Sequence, residues 1–95
     1  MKMVNVSLQI LPRVPEERLY PVVDKVIAHI KSTGVNHIVG PMETTMEGDY
    51  DELMDIVKEA QRICFEEGAN RVLAVVKIDN KKDGISMEEK IGKYK

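Results

Sequence analysis

The chain has almost no aromatic surface and only one cysteine. Tryptophan is absent, phenylalanine occurs once, and aromatic residues make up 4% of the sequence. A single cysteine, Cys64, cannot build an internal disulfide framework, and this usage is typical of a reducing compartment. The scarcity of aromatic side chains argues against a base-stacking platform, and a net charge of -2 argues against binding to a phosphate backbone. We therefore expect no nucleic-acid partner.

Long apolar runs are also missing, which excludes a membrane-spanning helix. The opening MKMVNVSLQILP alternates between apolar and polar residues and lacks a small-residue cleavage site, so it indicates a strand rather than a signal peptide. Hydrophobic residues make up 43% of the chain and charged residues 32%, which is typical of a globular protein. We expect one domain over residues 1–95, in the cytoplasm, with no membrane partner.

Periodicity and turn residues predict six main elements. Strands are expected over 3–11, 35–39, 43–47 and 71–79, and helices over 21–33 and 49–67. Pro21 would remove a helical hydrogen bond, so residues 16–20 are predicted to form a separate short turn. Asp49 and Glu52 have the spacing of a capping box, and Ser86 can cap a short C-terminal helix.

The apolar residues recur at helical spacing in both main helices. The predicted core stripes are Val23, Val26, Ile27 and Ile30 in the first, and Leu53, Ile56, Val57, Ala60, Ile63 and Cys64 in the second. The element order predicts an α+β, ferredoxin-like β-α-β-β-α-β domain with a four-stranded antiparallel sheet and strand 1 in the centre. The face opposite the helices would carry Asn5, Ser7, Gln9, Leu73, Val75 and Lys77. Nothing else in the chain is expected to cover this face, which favours a second copy as its partner.

No catalytic signature is visible in the sequence. His29 and His37 lack metal-ligand spacing, Cys64 lies on a core stripe, and Ser7 has no nucleophile elbow around it. We expect no enzyme activity, no catalytic or metal site and no cofactor. Glu47 either belongs to a helix-capping acidic cluster or accepts hydrogen bonds from a cationic, amidine-like heterocycle. Ser7 and Gln9 form either a hydrogen-bond network between subunits or a polar floor for a small ligand.

Three segments together resemble the small thiamine-binding protein family, the YkoF-like group. They are the hairpin PMETTMEG followed by DYDEL, the first strand VNVSLQILP, and RVLAVVKIDNKKD near the end. The resemblance covers residues 3–93. One departure is Glu43, at a position where the family often has glycine.

The resemblance implies a ferredoxin-like subunit that assembles through its sheets as a homotetramer, a dimer of dimers. It also implies binding of thiamine, or its hydroxymethylpyrimidine half, without turnover. The matching positions make Ser7, Thr44 and Glu47 candidate ligand-binding residues, and the argument from the open sheet face adds Gln9 and Lys77. An apolar wall is expected from Met46, Leu73 or Val75. The alternative is a ligand-free regulatory or assembly module whose sheet face mediates oligomerisation.

Overall fold

The computed structural model describes residues 2–95, which form four strands and three helices. The elements are β1 Val4–Pro12, α1 Glu16–Ser32, β2 Asn36–Val39, β3 Thr44–Gly48, α2 Tyr50–Glu66, β4 Val72–Asp79 and α3 Met87–Ile91. A 3-10 turn, Gly92–Tyr94, follows α3. No helix in this described part is both long enough and apolar enough to cross a membrane.

The sheet has the strand order β2-β3-β1-β4, and every neighbouring pair is antiparallel. β1 lies in the interior beside β3 and β4, as the sequence predicts. Because each crossover through α1 or α2 is right-handed in such units, both helices pack on one face of the sheet. The ferredoxin-like prediction is confirmed.

The first helix is one continuous element, so the predicted break before Pro21 is wrong. Pro21 lies inside α1 and is exposed, while Val22, Val26 and Ile30 are buried. Val22 replaces the predicted Val23, which is only partly buried. An interior proline costs about 3 kcal/mol, whereas burying each aliphatic side chain contributes about 1.5–3 kcal/mol. The packing of the buried side chains therefore outweighs the proline.

The second helix follows its predicted stripe, with Ile63 partly buried and the other members fully buried. The Asp49 carboxylate accepts a hydrogen bond from the Glu52 amide at 3.4 Å. The full reciprocal capping box forms at Ser86 and Glu89 instead, where α3 begins. Cys64 is a free, buried thiol in this core, and burial raises its pKa.

The last helix covers one end of the sheet face that the sequence left uncovered. Met87 is buried there, and the Lys90 ammonium pairs with the Asp79 carboxylate at 2.6 Å. The Ile85 amide donates to the Met3 carbonyl at 3.1 Å, next to a turn in which Gly84 has a φ of 93°. The expectation that no part of the chain covers this face is therefore wrong at this end and holds only at the other.

Candidate functional site

The antiparallel register lines up the side chains of the helix-free face, here called the open face, in rows across the sheet. Residues that pair across an antiparallel sheet project to the same side. The first row, under α3, is polar: Asn36, Glu47, Asn5 and Asp79. The second row is Ile38, Thr45, Ser7 and Lys77. The next two rows pair Gln9 with Val75 and Leu11 with Leu73. The face thus changes from polar to apolar along β1.

A concave space of about 220 Å³ lies over the polar rows and is called the open-face cavity here. Its lining comprises Asn5, Ser7, Glu43, Thr45, Lys77, Ile78, Asp79 and Lys90. A second space of about 320 Å³ lies beside it, against Met87 and Ile91, and shares Asn5, Thr45 and Lys90 with it. Carboxylates, hydroxyls and amines surround the first space, and α3 supplies an apolar side to the second. Small-ligand sites commonly combine these features.

Glu43 is one of the two carboxylates that line the open-face cavity, and Asp79 is the other. One oxygen of Glu43 accepts from the Ser7 hydroxyl at 2.5 Å, and the other accepts from the Lys77 ammonium at 2.8 Å. The hydrogen bond from Lys77, followed by that from Ser7, holds the pKa of Glu43 below its ordinary value of 4.5. Glu43 is therefore ionised at neutral pH and accepts hydrogen bonds. The hydroxyl hydrogen of Ser7 is used in the contact with Glu43.

Glu47 is occupied by the protein itself. One oxygen accepts from the backbone amide of Met87 at 2.7 Å, at the first residue of α3. The other accepts from the side-chain amide of Asn36 at 2.9 Å. The carboxylate thus ties the start of α3 to the polar end of the sheet, and it does so across 40 residues of sequence.

The structure brings four of the five predicted ligand-binding residues to the open face. Ser7 and Lys77 line the cavity, Glu47 supports α3, and Gln9 lies one row further along β1. Thr44 is not brought there, because it pairs with Leu8 and is buried on the helix-facing side.

The predicted apolar wall is also only partly on the open face. Met46 is fully buried among the core residues on the helix-facing side and cannot contact a ligand in the open-face cavity. Leu73 and Val75 are exposed on the open face, in the rows beyond the cavity. The apolar side chains at these spaces are Ile78, which lines the open-face cavity, and Ile38, Met87 and Ile91, which line the neighbouring space.

Six lining residues of the cavity were missed as site residues, namely Asn5, Glu43, Thr45, Ile78, Asp79 and Lys90. Thr45 shares the parity of Ser7 and Glu47, so strand alternation alone could have selected it over Thr44. Asn5 was placed on the correct face, but nothing in the sequence indicates how deeply it is buried. Glu43 lies just before β3 in the structure, although the predicted strand 43–47 gives it the parity of Thr45 and Glu47. Its role depends on Lys77, 34 residues away in the sequence.

The comparisons with known proteins agree with this architecture. The family model described as "Thiamine-binding protein" matches residues 6–95. A UPF0045 protein of Clostridium perfringens is 66% identical over 91 residues, which is 96% of each chain. A UPF0045 protein of Staphylococcus xylosus is 32% identical over 80 residues, which is 75% of each chain.

Two solved structures are similar over nearly their full length. A candidate thiamine biosynthesis/salvage protein of Thermotoga maritima has a TM-score of 0.90 and 43% identity, covering 98% of this chain and 99% of that one. A DUF77 domain of unknown function from Bacillus cereus has a TM-score of 0.93 and 39% identity, covering 99% and 91%. The resemblance seen in the sequence is thereby confirmed: the chain belongs to the thiamine-binding protein family.

Proposed function

We propose that this protein binds thiamine or its hydroxymethylpyrimidine half in the open-face cavity, without turnover and in the cytoplasm. The observation that carries the proposal is the ionised Glu43 carboxylate at a small cavity with a hydroxyl floor, in a chain of this family. Thiamine presents a cationic thiazolium ring and an aminopyrimidine ring. A carboxylate suits the first ring, and hydroxyl and amide groups suit the second.

Lys77 is the residue that a cationic ligand would displace. Its side chain is 66% exposed, so the ion pair with Glu43 is weakly held and can open at little cost. Once the ammonium swings into solvent, Glu43 faces the ligand's positive charge while Ser7 keeps the carboxylate in place. The Thr45 hydroxyl lines the same cavity and can donate to a ring nitrogen. Of the other predicted residues, Glu47 acts through α3, and Gln9 borders the cavity from the next row.

Binding without turnover is supported by the chemistry of the Ser7–Glu43 pair. A serine that donates to a carboxylate has the arrangement of a nucleophile with a base. An effective general base has a pKa near the working pH, and Lys77 and Ser7 lower the pKa of Glu43 below 4.5. Glu43 is therefore a poor proton acceptor for Ser7 and a good counter-charge for a cation.

The exposed rows beyond the cavity support assembly of two subunits through the open face, which would be one of the two contacts in a dimer of dimers. Leu11, Leu73 and Val75 are exposed there, and Arg13 and Arg71 line a space with Leu11 and Leu73 at the far end. The α3 end of the same face carries paired charges, Glu43 with Lys77 and Asp79 with Lys90. Two copies stacked in opposite directions would cover the apolar rows and place the arginines of one copy near the polar end of the other.

These same apolar rows favour a second candidate function, a ligand-free assembly module. In that case the open face serves only to join subunits, and the polar cavity is a hydrated part of the interface. The two functions differ in one respect that is simple to measure, since only the first requires the protein to bind thiamine.

Titration calorimetry with thiamine and with neutral hydroxymethylpyrimidine tests the proposal. Glu43→Gln should weaken thiamine binding by roughly tenfold or more, because a charge-assisted contact contributes about 1.5–3 kcal/mol. It should change hydroxymethylpyrimidine binding much less. Glu59→Gln is the matched control, because Glu59 pairs with Arg62 on α2, away from the cavity. Absence of binding to the unmutated protein would favour the assembly module, and release of a new product would overturn the non-catalytic assignment.

A further inference from the structure

Asn5 holds a buried hydrogen-bond acceptor without a donor. The side chain lies in the middle of the polar row and only 4% of the residue is exposed. Its Oδ1 is sealed from solvent and has no hydrogen-bond partner within the described residues. An unsatisfied buried polar group destabilises the folded protein. A group of this kind beside a cavity calls for an explanation in terms of what the cavity holds.

The cross-strand partners of Asn5 cannot supply the missing donor. Its cross-strand partners are Glu47 on one side and Asp79 on the other, and ionised carboxylates only accept hydrogen bonds. Turning the amide over does not help, because its Nδ2 donates to the Ile85 carbonyl at 3.5 Å. The turned amide would place two acceptors against each other. The two ammonium groups that line the open-face cavity with Asn5, those of Lys77 and Lys90, are paired with Glu43 and Asp79.

A donor must therefore come from outside the chain, through the two spaces that Asn5 lines. Since Oδ1 is sealed, a donor reaches it only after a neighbouring element moves, and α3 is the helix that lines both spaces. That helix has five residues, and Glu47 and Lys90 tie it to the sheet. Short elements with few buried contacts open at low cost.

We propose that Asn5 accepts a hydrogen bond from the exocyclic amino group of the bound pyrimidine, and so selects an aminopyrimidine over its oxo analogue. This inference rests on the proposed function. The amino group supplies the N–H donor that Oδ1 lacks, and the hydroxyl of Thr45 can meet the adjacent ring nitrogen. A 4-oxo group would instead place a carbonyl oxygen against Oδ1. The Thr45 hydroxyl can rotate to suit either ring, so the selectivity comes from Asn5.

The test compares thiamine with oxythiamine, in which an oxo group replaces the amino group. We expect the unmutated protein to bind thiamine roughly a hundredfold more tightly, because sites built around a ligand's N–H strongly reject analogues that lack it. Asn5→Leu removes the acceptor and keeps a similar volume. It should weaken thiamine binding by roughly a hundredfold, leave oxythiamine binding little changed, and bring the affinity ratio close to one.

Asn70→Leu is the control, since Asn70 is exposed in the turn before β4. Equal binding of the two ligands to the unmutated protein would overturn the role of Asn5 and leave the proposed function standing. It would also overturn the role of Asn5 if Asn5→Leu kept the preference for thiamine. If neither ligand bound, the proposed function itself would fail. The comparison of the two ligands on the unmutated protein decides the matter even where Asn5→Leu does not fold.

Discussion

The two faces of the sheet are built from alternate residues of the same strands, yet they are closed in different ways. On the helix-facing side, β1 presents Val4, Val6, Leu8 and Ile10 to α1 and α2, and all four are buried. On the open face the same strand presents Asn5, Ser7, Gln9 and Leu11. The first side is continuous and aliphatic, and the second is polar under α3 and apolar beyond it. The difference indicates that the helix-facing side specifies the fold, so the residues of the open face can serve a ligand or a second subunit.

Polar groups show the same contrast. Thr44 is the one buried polar side chain on the helix-facing side, while Asn5 and Ser7 are buried on the open face within the described residues. Buried polar groups normally find partners inside the protein. On the open face the Ser7 hydroxyl has a partner in Glu43, whereas the Oδ1 atom of Asn5 has none. A face that leaves such groups to be satisfied from outside is suited to a ligand.

The largest expected effect on stability comes from truncating one β1 side chain on each face of the sheet in turn. Leu8→Ala removes a buried leucine, 3% exposed, and should lower the free energy of unfolding by about 2–5 kcal/mol. Leu11→Ala, at a position 40% exposed, should cost less than about 1 kcal/mol in the isolated subunit. Chemical denaturation of both variants at equal protein concentration measures the difference. Equal losses would show that the open face contributes to the core.

Assembly gives the next largest effect. We expect the unmutated protein to scatter light as a homotetramer at micromolar concentration, because stacking would bury apolar rows at about 25 cal/mol per Å². Val75→Glu places a charge in those rows and should yield smaller species. Phe65→Glu is the control, since Phe65 is an exposed apolar residue on α2. If Phe65→Glu separated the subunits and Val75→Glu did not, assembly would use the helical side.

Weakening the contact between Glu47 and α3 should have an intermediate effect. Glu47→Gln keeps the shape but replaces one acceptor oxygen with a donor, so only one of its two hydrogen bonds survives. We expect amide hydrogen exchange in α3 to accelerate by roughly tenfold, with α1 and α2 unchanged, and thiamine binding to weaken by tenfold to a hundredfold. Glu66→Gln, on the exposed end of α2, is the control. Unchanged exchange in α3 would mean that Glu47 does not anchor it.

The smallest effect concerns pH. Since Lys77 and Ser7 lower the pKa of Glu43, the contribution of this carboxylate to stability is present above pH 4.5 and is lost as the pH falls through the lower folded value. An NMR titration of Glu43 should therefore give a pKa below 4.5. Lys77→Met should return it toward 4.5, because Lys77 is the largest cause. An unshifted pKa in the unmutated protein would contradict the geometry of the pair.

The sequence predicts the strands and the two main helices well, because hydrophobic periodicity and turn residues are local signals. Alternation placed Ser7, Gln9 and Lys77 on one face, and Gly34 and Gly68 end their helices with positive φ. The choice of Thr44 came from the resemblance and departed from alternation, which favours Thr45. Pro21 misled because its local cost is smaller than the packing of the helix around it.

The remaining parts of the site depend on contacts between distant residues. The position of α3 depends on the hydrogen bond from the Met87 amide to Glu47. No sequence pattern around Glu47 or around Met87 predicts this contact. The depth of Asn5 follows from that helix and from the turn at Ile85. Glu43 owes its lowered pKa to Lys77 on another strand. These features are products of the folded topology, so the sequence could indicate the face but not the cavity.

The central claim is that the open face binds the pyrimidine ligand while the helix-facing side remains a closed core. Methyl-labelled NMR spectra of the protein titrated with thiamine test this most directly. We expect the methyl signals of Thr45, Ile38 and Ile91, which line the two spaces on the open face, to shift with saturation. The signals of Ile30 and Ile56, buried on the other side, should stay in place. Shifts confined to the core, or no shifts at all, would contradict the account.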